Sequence, residues 1–162
     1  MSDTEQGAAE GQAANTMINV HAQYTKDLSF EAPGAPGIFA EMQKAAPELS
    51  INVDVNAQPL RDATETQPGL YEVALDIKID CKVGTATAFL TELTYAGLFE
   101  IAVPREHLNA MLLIECPRLL FPFARNIVSE VARDGGFPPV LLSPIDFVQL
   151  YQQRVAQQPA AN

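Results

Sequence analysis

The most constraining stretch of this chain is Tyr71 to Val83. There Tyr71, Val73, Leu75, Ile77, Ile79, Cys81 and Val83 alternate without a break with Glu72, Ala74, Asp76, Lys78, Asp80 and Lys82. A period of two puts every apolar residue on one face of a strand and nearly every charge on the other. Such a strand belongs in an antiparallel sheet covered on one side only. The residues around it supply its neighbours. Gly84 turns the chain into a partner strand from Thr85 to Tyr95, and Leu49, Ile51, Val53 and Val55 alternate with Ser50, Asn52, Asp54 and Asn56. A further strand begins near Met17, reaches Thr25 and extends irregularly toward Glu31.

The period changes after Pro104. Leu108, Met111, Leu112 and Glu115 recur at helical spacing, and Pro117 suits the first position of a second helix. That helix carries Leu120, Phe123, Ala124, Ile127, Val128 and Val131, with Pro122 tolerated near its start, and Gly135-Gly136 stops it. A connector from Phe137 to Leu142 follows. Ser143-Pro144-Ile145-Asp146 then reads as a helix start, with Ser143 as the cap and an acid three residues on. Strands followed by helices make the class α+β: an antiparallel sheet with helices packed on one face. Residues 17–155 form a single domain, and residues 1–16 and 156–162, poor in periodic apolar residues, are expected to be flexible tails.

Charge divides at the same place. Residues 24–104 hold twelve acids and five bases, whereas residues 105–162 hold five of each, within a formal net charge of −10. The excess sits on the sheet and N-terminal tail, and the helical half is neutral and apolar. We expect the helices inside an assembly and the outer sheet face toward water or a basic partner. Nucleic acid and anionic membrane surfaces are poor partners for this balance. No apolar run approaches the roughly 20 residues of a membrane helix, and Asp3, Glu5 and Glu10 precede the first base, Lys26, unlike a signal peptide. Cys81 and Cys116 lie in apolar stretches, so buried free thiols in a reducing cytoplasm are expected.

No constellation for catalysis stands out. Gly34-Ala35-Pro36-Gly37 lacks the lysine of a phosphate loop, His21 and His107 are the only histidines, and neither has a metal-ligand companion. Cys116 would need a cationic neighbour or a base to act as a nucleophile. The expectation is no enzyme, no cofactor and no metal.

Four segments carry a resemblance. They are Tyr24-Thr25-Lys26-Asp27-Leu28-Ser29-Phe30-Glu31-Ala32-Pro33, Ala88-Phe89-Leu90-Thr91-Glu92, Cys116-Pro117-Arg118-Leu119-Leu120-Phe121-Pro122-Phe123-Ala124-Arg125, and Gly136-Phe137-Pro138-Pro139 with Leu142-Ser143-Pro144-Ile145-Asp146-Phe147. In order, over about Tyr24 to Gln153, the chain resembles the SecB family of bacterial export chaperones. The resemblance implies a four-stranded antiparallel sheet in each subunit and a homotetramer built as a dimer of dimers, helices at the centre. It implies ATP-independent binding of unfolded preproteins in the cytoplasm and their delivery to the SecA motor. Carried over by position, the SecA contact falls on Asp27, Glu31, Leu90 and Glu92. Strand parity places Leu90 and Glu92 on the face opposite Phe89 and Thr91, and Asp27 and Glu31 opposite Leu28 and Phe30. The client groove maps to Ile38, Phe39, Met42, Phe137, Val140, Leu141 and Leu142, and the oligomer interface to Met111, Cys116 and Phe123. The chain departs from the pattern in having no Trp and in its short C-terminal tail, which has Arg154 as its only base. A small acidic adaptor that binds one folded partner through its sheet is the alternative that the same charge pattern allows.

Overall fold

The computed structural model describes residues 17–158. Four strands, β1 (Met17–Glu31), β2 (Glu48–Arg61), β3 (Gly69–Val83) and β4 (Ala86–Ala102), form one antiparallel sheet in the order β1-β4-β3-β2. β2, β3 and β4 are successive hairpin neighbours, and β1 closes the far edge. The chain therefore crosses the sheet between β1 and β2, and this crossover contains a short helix, α1 (Ile38–Met42). After β4 come α2 (Arg105–Ala110), a five-residue π-helical segment (Met111–Glu115), α3 (Cys116–Asp134) and α4 (Phe147–Gln157). None of these helices is long and apolar enough to cross a membrane. The segments expected to be tails, 1–16 and most of 156–162, lie outside the described residues, although α4 runs on to Gln157.

The alternation in β3 is realised residue for residue. Tyr71, Val73, Leu75, Ile77, Ile79, Cys81 and Val83 are buried beneath the helices, joined from β4 by Phe89, Leu93, Tyr95, Phe99 and Ile101. α3 lays Cys116, Leu120, Phe121, Ala124, Val128 and Ala132 on this face, a stripe at offsets of three and four. Gly97 lets it come close. A Cβ there would lie 2.6 Å from the Phe99 ring and 3.0 Å from Leu120. Cys81 and Cys116 are both free and buried.

Three details differ from the sequence reading. β4 continues past Tyr95 to Ala102, across the Gly97 that interrupts its apolar pattern. The helices on either side of Pro117 are not separated by a loop; the chain widens into the π-helical turn just before this residue, which has no N–H to give to the preceding turn. Finally, the last helix starts after Asp146, whose carboxylate accepts the Gln149 amide at 3.0 Å, and not after Ser143. Val140 and Leu142 are buried on either side of the exposed Leu141, and the connector stays non-helical through Asp146. Arg154 ties α4 back to β2, donating to the Val55 carbonyl and standing 3.9 Å from Asp54.

Candidate functional surfaces

Two register shifts in β1 decide which side chains reach which face. They lie between Val20 and Ala22 and between Thr25 and Asp27. After the second, Leu28 and Phe30 oppose the inward Leu93 and Thr91, while Asp27, Ser29 and Glu31 oppose Thr94, Glu92 and Leu90. Asp27, Glu31, Leu90 and Glu92 thus share the sheet face turned away from the helices, as strand parity predicts. Leu90 is 37% exposed among these carboxylates. Glu92 stands 3.7 Å from Lys78, both well solvated, and neither Asp27 nor Glu31 has an ion-pair partner among the described residues. An exposed pair of that length contributes at most about 1 kcal/mol, so these carboxylates remain available.

The whole outer face is acidic. By register it carries nine carboxylates against four cations, counting Lys26 through its contact with Glu72. Asp76 is satisfied locally, accepting from Asn56 at 2.9 Å and from Thr94 at 2.6 Å. A hollow of about 350 Å³ lies beside the patch, with Glu31, Leu90 and Glu92 on one side and Asn52 and Lys78 on the other. A second hollow, of about 520 Å³, continues past Asp27 to Lys26, Glu72 and Asn56. Beside it the Tyr24 hydroxyl donates to Glu72, and Lys26 Nζ lies 2.6 Å from the same carboxylate. These two hydrogen bonds hold the Glu72 carboxyl below the usual range, Lys26 contributing most. Burial, together with Glu72, pushes the Tyr24 phenol up to about 12.

The helix side is apolar and incompletely covered. At the end where the crossover meets the connector, four aromatic rings assemble. Phe137 lies 5.0 Å from Phe89, 5.2 Å from Phe39 and 6.1 Å from Phe30, and Phe30 stacks on Phe89 at 5.4 Å. The Gly135-Gly136 turn makes room for them. A Cβ on Gly135 would lie 2.4 Å from the Phe30 ring, and Gly136 has φ +93° beside Phe39. Of the residues expected to line a client groove, Ile38, Phe137, Val140 and Leu142 are buried in the protomer. Met42 is half-buried, and Phe39 and Leu141 are exposed, Leu141 by 74%. Phe30 and Phe89 belong to the same cluster, and groove assignment by segment passed over them. Their inward parity, opposite to Glu31 and Leu90, was the available signal.

More apolar surface lies along both edges. Val20 and Leu28 on β1, and Leu49 and Ile51 on β2, point to the helix side by register yet remain 37–46% exposed. On α3, Leu119 and Phe123 form an exposed i, i+4 pair, with Phe123 stacked on Tyr95 at 6.3 Å. Of the expected interface residues, Phe123 therefore offers 52% of its surface, Met111 is half-buried, and Cys116 is fully enclosed in its own protomer.

Chemistry at a catalytic centre finds little here. Burial, with Glu115 adding to it, pushes the Cys116 thiol up to about 12, so it is not a thiolate at neutral pH. Burial raises the Cys81 thiol as well. Among the described residues no three His, Cys, Asp or Glu side chains stand close enough to hold a metal. A cavity of about 760 Å³ at the other end of the protomer, between Tyr71, Ile101, Leu112 and Arg105, contains none of the expected site residues.

Comparison with known proteins identifies the family. The family model described as preprotein translocase subunit SecB matches residues 11–158. The protein-export protein SecB of Paramagnetospirillum magneticum is 51% identical over 86% of each chain. That of Mesorhizobium japonicum is 47% identical over 99% of this chain and 94% of its own. Among solved structures, a Mycobacterium tuberculosis SecB-like chaperone in complex with an antitoxin peptide superposes with a TM-score of 0.55. It covers 80% of this chain and 91% of that one at 16% identity, a likeness of fold. With the family model spanning all the described residues and relatives near half identical over most of their length, this chain belongs to the SecB family of protein-export chaperones.

Proposed function

We propose that the two sheet faces divide the work of an ATP-independent holdase. The helix side holds unfolded preproteins, and the outer face hands them to the SecA motor. The observation that carries this reading is the parity split on β1 and β4. Neighbouring residues there send Leu28, Phe30 and Phe89 toward the helices and Asp27, Glu31, Leu90 and Glu92 away from them. In the groove, Phe39, Met42 and Leu141 supply contact surface, while Ile38, Phe137, Val140 and Leu142 support it from beneath. Apolar contact with few directional hydrogen bonds accommodates many sequences weakly, which a general holdase requires. The peptide held by the mycobacterial chaperone of this fold supports a client site on such a scaffold.

The exposed Leu119 and Phe123, together with Val20 at the β1 edge, support assembly into a homotetramer, a dimer of dimers with its helices at the centre. We place the protein in the cytoplasm and assign it no cofactor and no catalysed reaction. The test is separation of the surfaces. Glu92→Lys should weaken SecA binding and leave precursor binding intact, and Leu141→Ser should do the reverse. Joint loss of both in either variant overturns the division. An adaptor without clients would bind no precursor at all.

A further inference from the structure

Tyr24 and Phe30 are six residues apart, and in a regular strand an even separation puts both side chains on one face. Here they point to opposite faces. Tyr24 reaches Glu72 on the outer face, whereas Phe30 stacks on Phe89 and faces Phe137 on the helix side. One extra residue must be inserted between them, and the register locates it. Thr25 pairs with Tyr95 and Asp27 with Thr94, so Lys26 is the residue left over. Without this bulge Asp27, Ser29 and Glu31 would turn toward the helices, and Leu28 and Phe30 would turn outward.

The ladder does not pair Lys26; its side chain does the holding. The ammonium lies 2.6 Å from Glu72 Oε1, and the Tyr24 hydroxyl donates to Oε2. Glu72 stands on β3, so both side chains reach across β4. On β4 and β3 the cross-strand row of Tyr24 holds Ala96 and Ala74, small enough to let the phenol pass. The Glu72 and Lys26 side chains are 16% and 50% exposed, against 57% and 64% for Glu92 and Lys78, so this pair is less screened than Lys78–Glu92. On the helix side, Thr91 Oγ1 donates to the Ser29 carbonyl at 2.8 Å, fixing the segment beyond the bulge. We infer that Tyr24, Lys26 and Glu72 form a positioning clamp that holds the β1 bulge and thereby sets Asp27 and Glu31 on the outer face. The consequence for docking rests on the function proposed above; the clamp itself rests on the strand geometry.

The test uses the full-length chain and the SecA motor. It compares Lys26→Glu, Glu72→Lys, their double swap, Tyr24→Phe and, as a reference, Glu92→Lys. Lys26→Glu adds a carboxylate beside Asp27. If outer-face charge alone governed docking to a basic surface, this variant would bind more tightly. The clamp predicts the opposite, a roughly tenfold weaker affinity, the size of one lost hydrogen bond to a charged group. The double swap, which keeps the net charge, should restore affinity to within about twofold. Tyr24→Phe, which removes a single oxygen and should fold, should speed amide exchange at Asp27 to Glu31 by roughly tenfold and leave β3 unchanged. Tighter binding by Lys26→Glu, no rescue by the swap, or unaltered exchange in Tyr24→Phe overturns the clamp. If Glu92→Lys docks as well as the parent, the outer-face reading fails instead, and amide exchange alone then decides for or against the clamp.

Discussion

Leu141 and Leu142 offer a controlled comparison: the same side chain, adjacent in sequence, on opposite sides of the connector. Leu141 is 74% exposed and Leu142 is 3% exposed. Replacing Leu142 with Ser empties a filled core site and leaves a hydroxyl in it, which costs about 3–5 kcal/mol. In a chain of this size that lowers the melting temperature by roughly 10 °C. Replacing Leu141 with Ser removes almost no protomer contact, so stability should stay within about 0.5 kcal/mol of the parent. A client that covers Leu141 loses most of a leucine's burial, about 1–2 kcal/mol, or roughly 5- to 30-fold in affinity. The assay is competition binding of a reduced, unfolded precursor, run beside a thermal melt. A Leu141→Ser protein that binds the precursor like the parent would remove Leu141 from the groove. A matching fall in melting temperature would refute the exposure argument.

Phe123→Asp should leave the protomer folded, because half of the ring is already exposed, but lower the mass seen by light scattering; an unchanged mass would take this face out of the assembly. Gly97→Val should cost about 3 kcal/mol or more, since its Cβ would meet Phe99 and Leu120 at the sheet–α3 contact; a melt unchanged from the parent would contradict that packing. The lowered pKa of Glu72 makes its stabilising contribution complete above the usual carboxylate pKa and lost as pH falls through the folded value. Glu72→Gln should accordingly flatten the acid limb of the stability curve; an identical limb would show that the carboxylate is not held. Tyr24 has the opposite sign. Its phenol is raised to about 12, so stability should fall as pH climbs from 10 toward 12; Tyr24→Phe should lessen that fall, the raised Tyr71 and Tyr95 phenols supplying the rest, as denaturant melts across this range would show.

Much of this architecture is legible in the residues because burial and period coincide. β3 is the clearest case: each of its seven apolar positions lies under the helices, and the opposite parity of Glu31 and Phe30, or of Leu90 and Phe89, follows from the strand period alone. What period cannot reveal is where it slips. The bulge at Lys26 is held by Glu72, which lies 46 residues away in sequence, and no local pattern announces such a partner. β4 passes through Gly97, where the missing side chain is the feature that admits α3, so the break in the apolar pattern marks a contact and not an end. Ser143 and Asp146 are both good helix caps; Asp146 takes the role by accepting the Gln149 amide, and the local residue types do not separate the two. The groove residues were legible as a group and not individually, because exposure separates Leu141 from Leu142 only once the connector is folded against α1 and the sheet.

The proposed function requires one chain to carry an apolar client surface and a separate acidic docking surface. The most direct measurement is light-scattering mass on a sizing column with the unfolded precursor and the SecA motor present together, at low and at physiological salt. Precursor and motor should join the same complex at low salt. Physiological salt should release the motor first, because exposed charges are screened over about 8–10 Å while apolar contacts persist. Release of the precursor whenever the motor binds, or loss of both at the same salt, would contradict two independent surfaces.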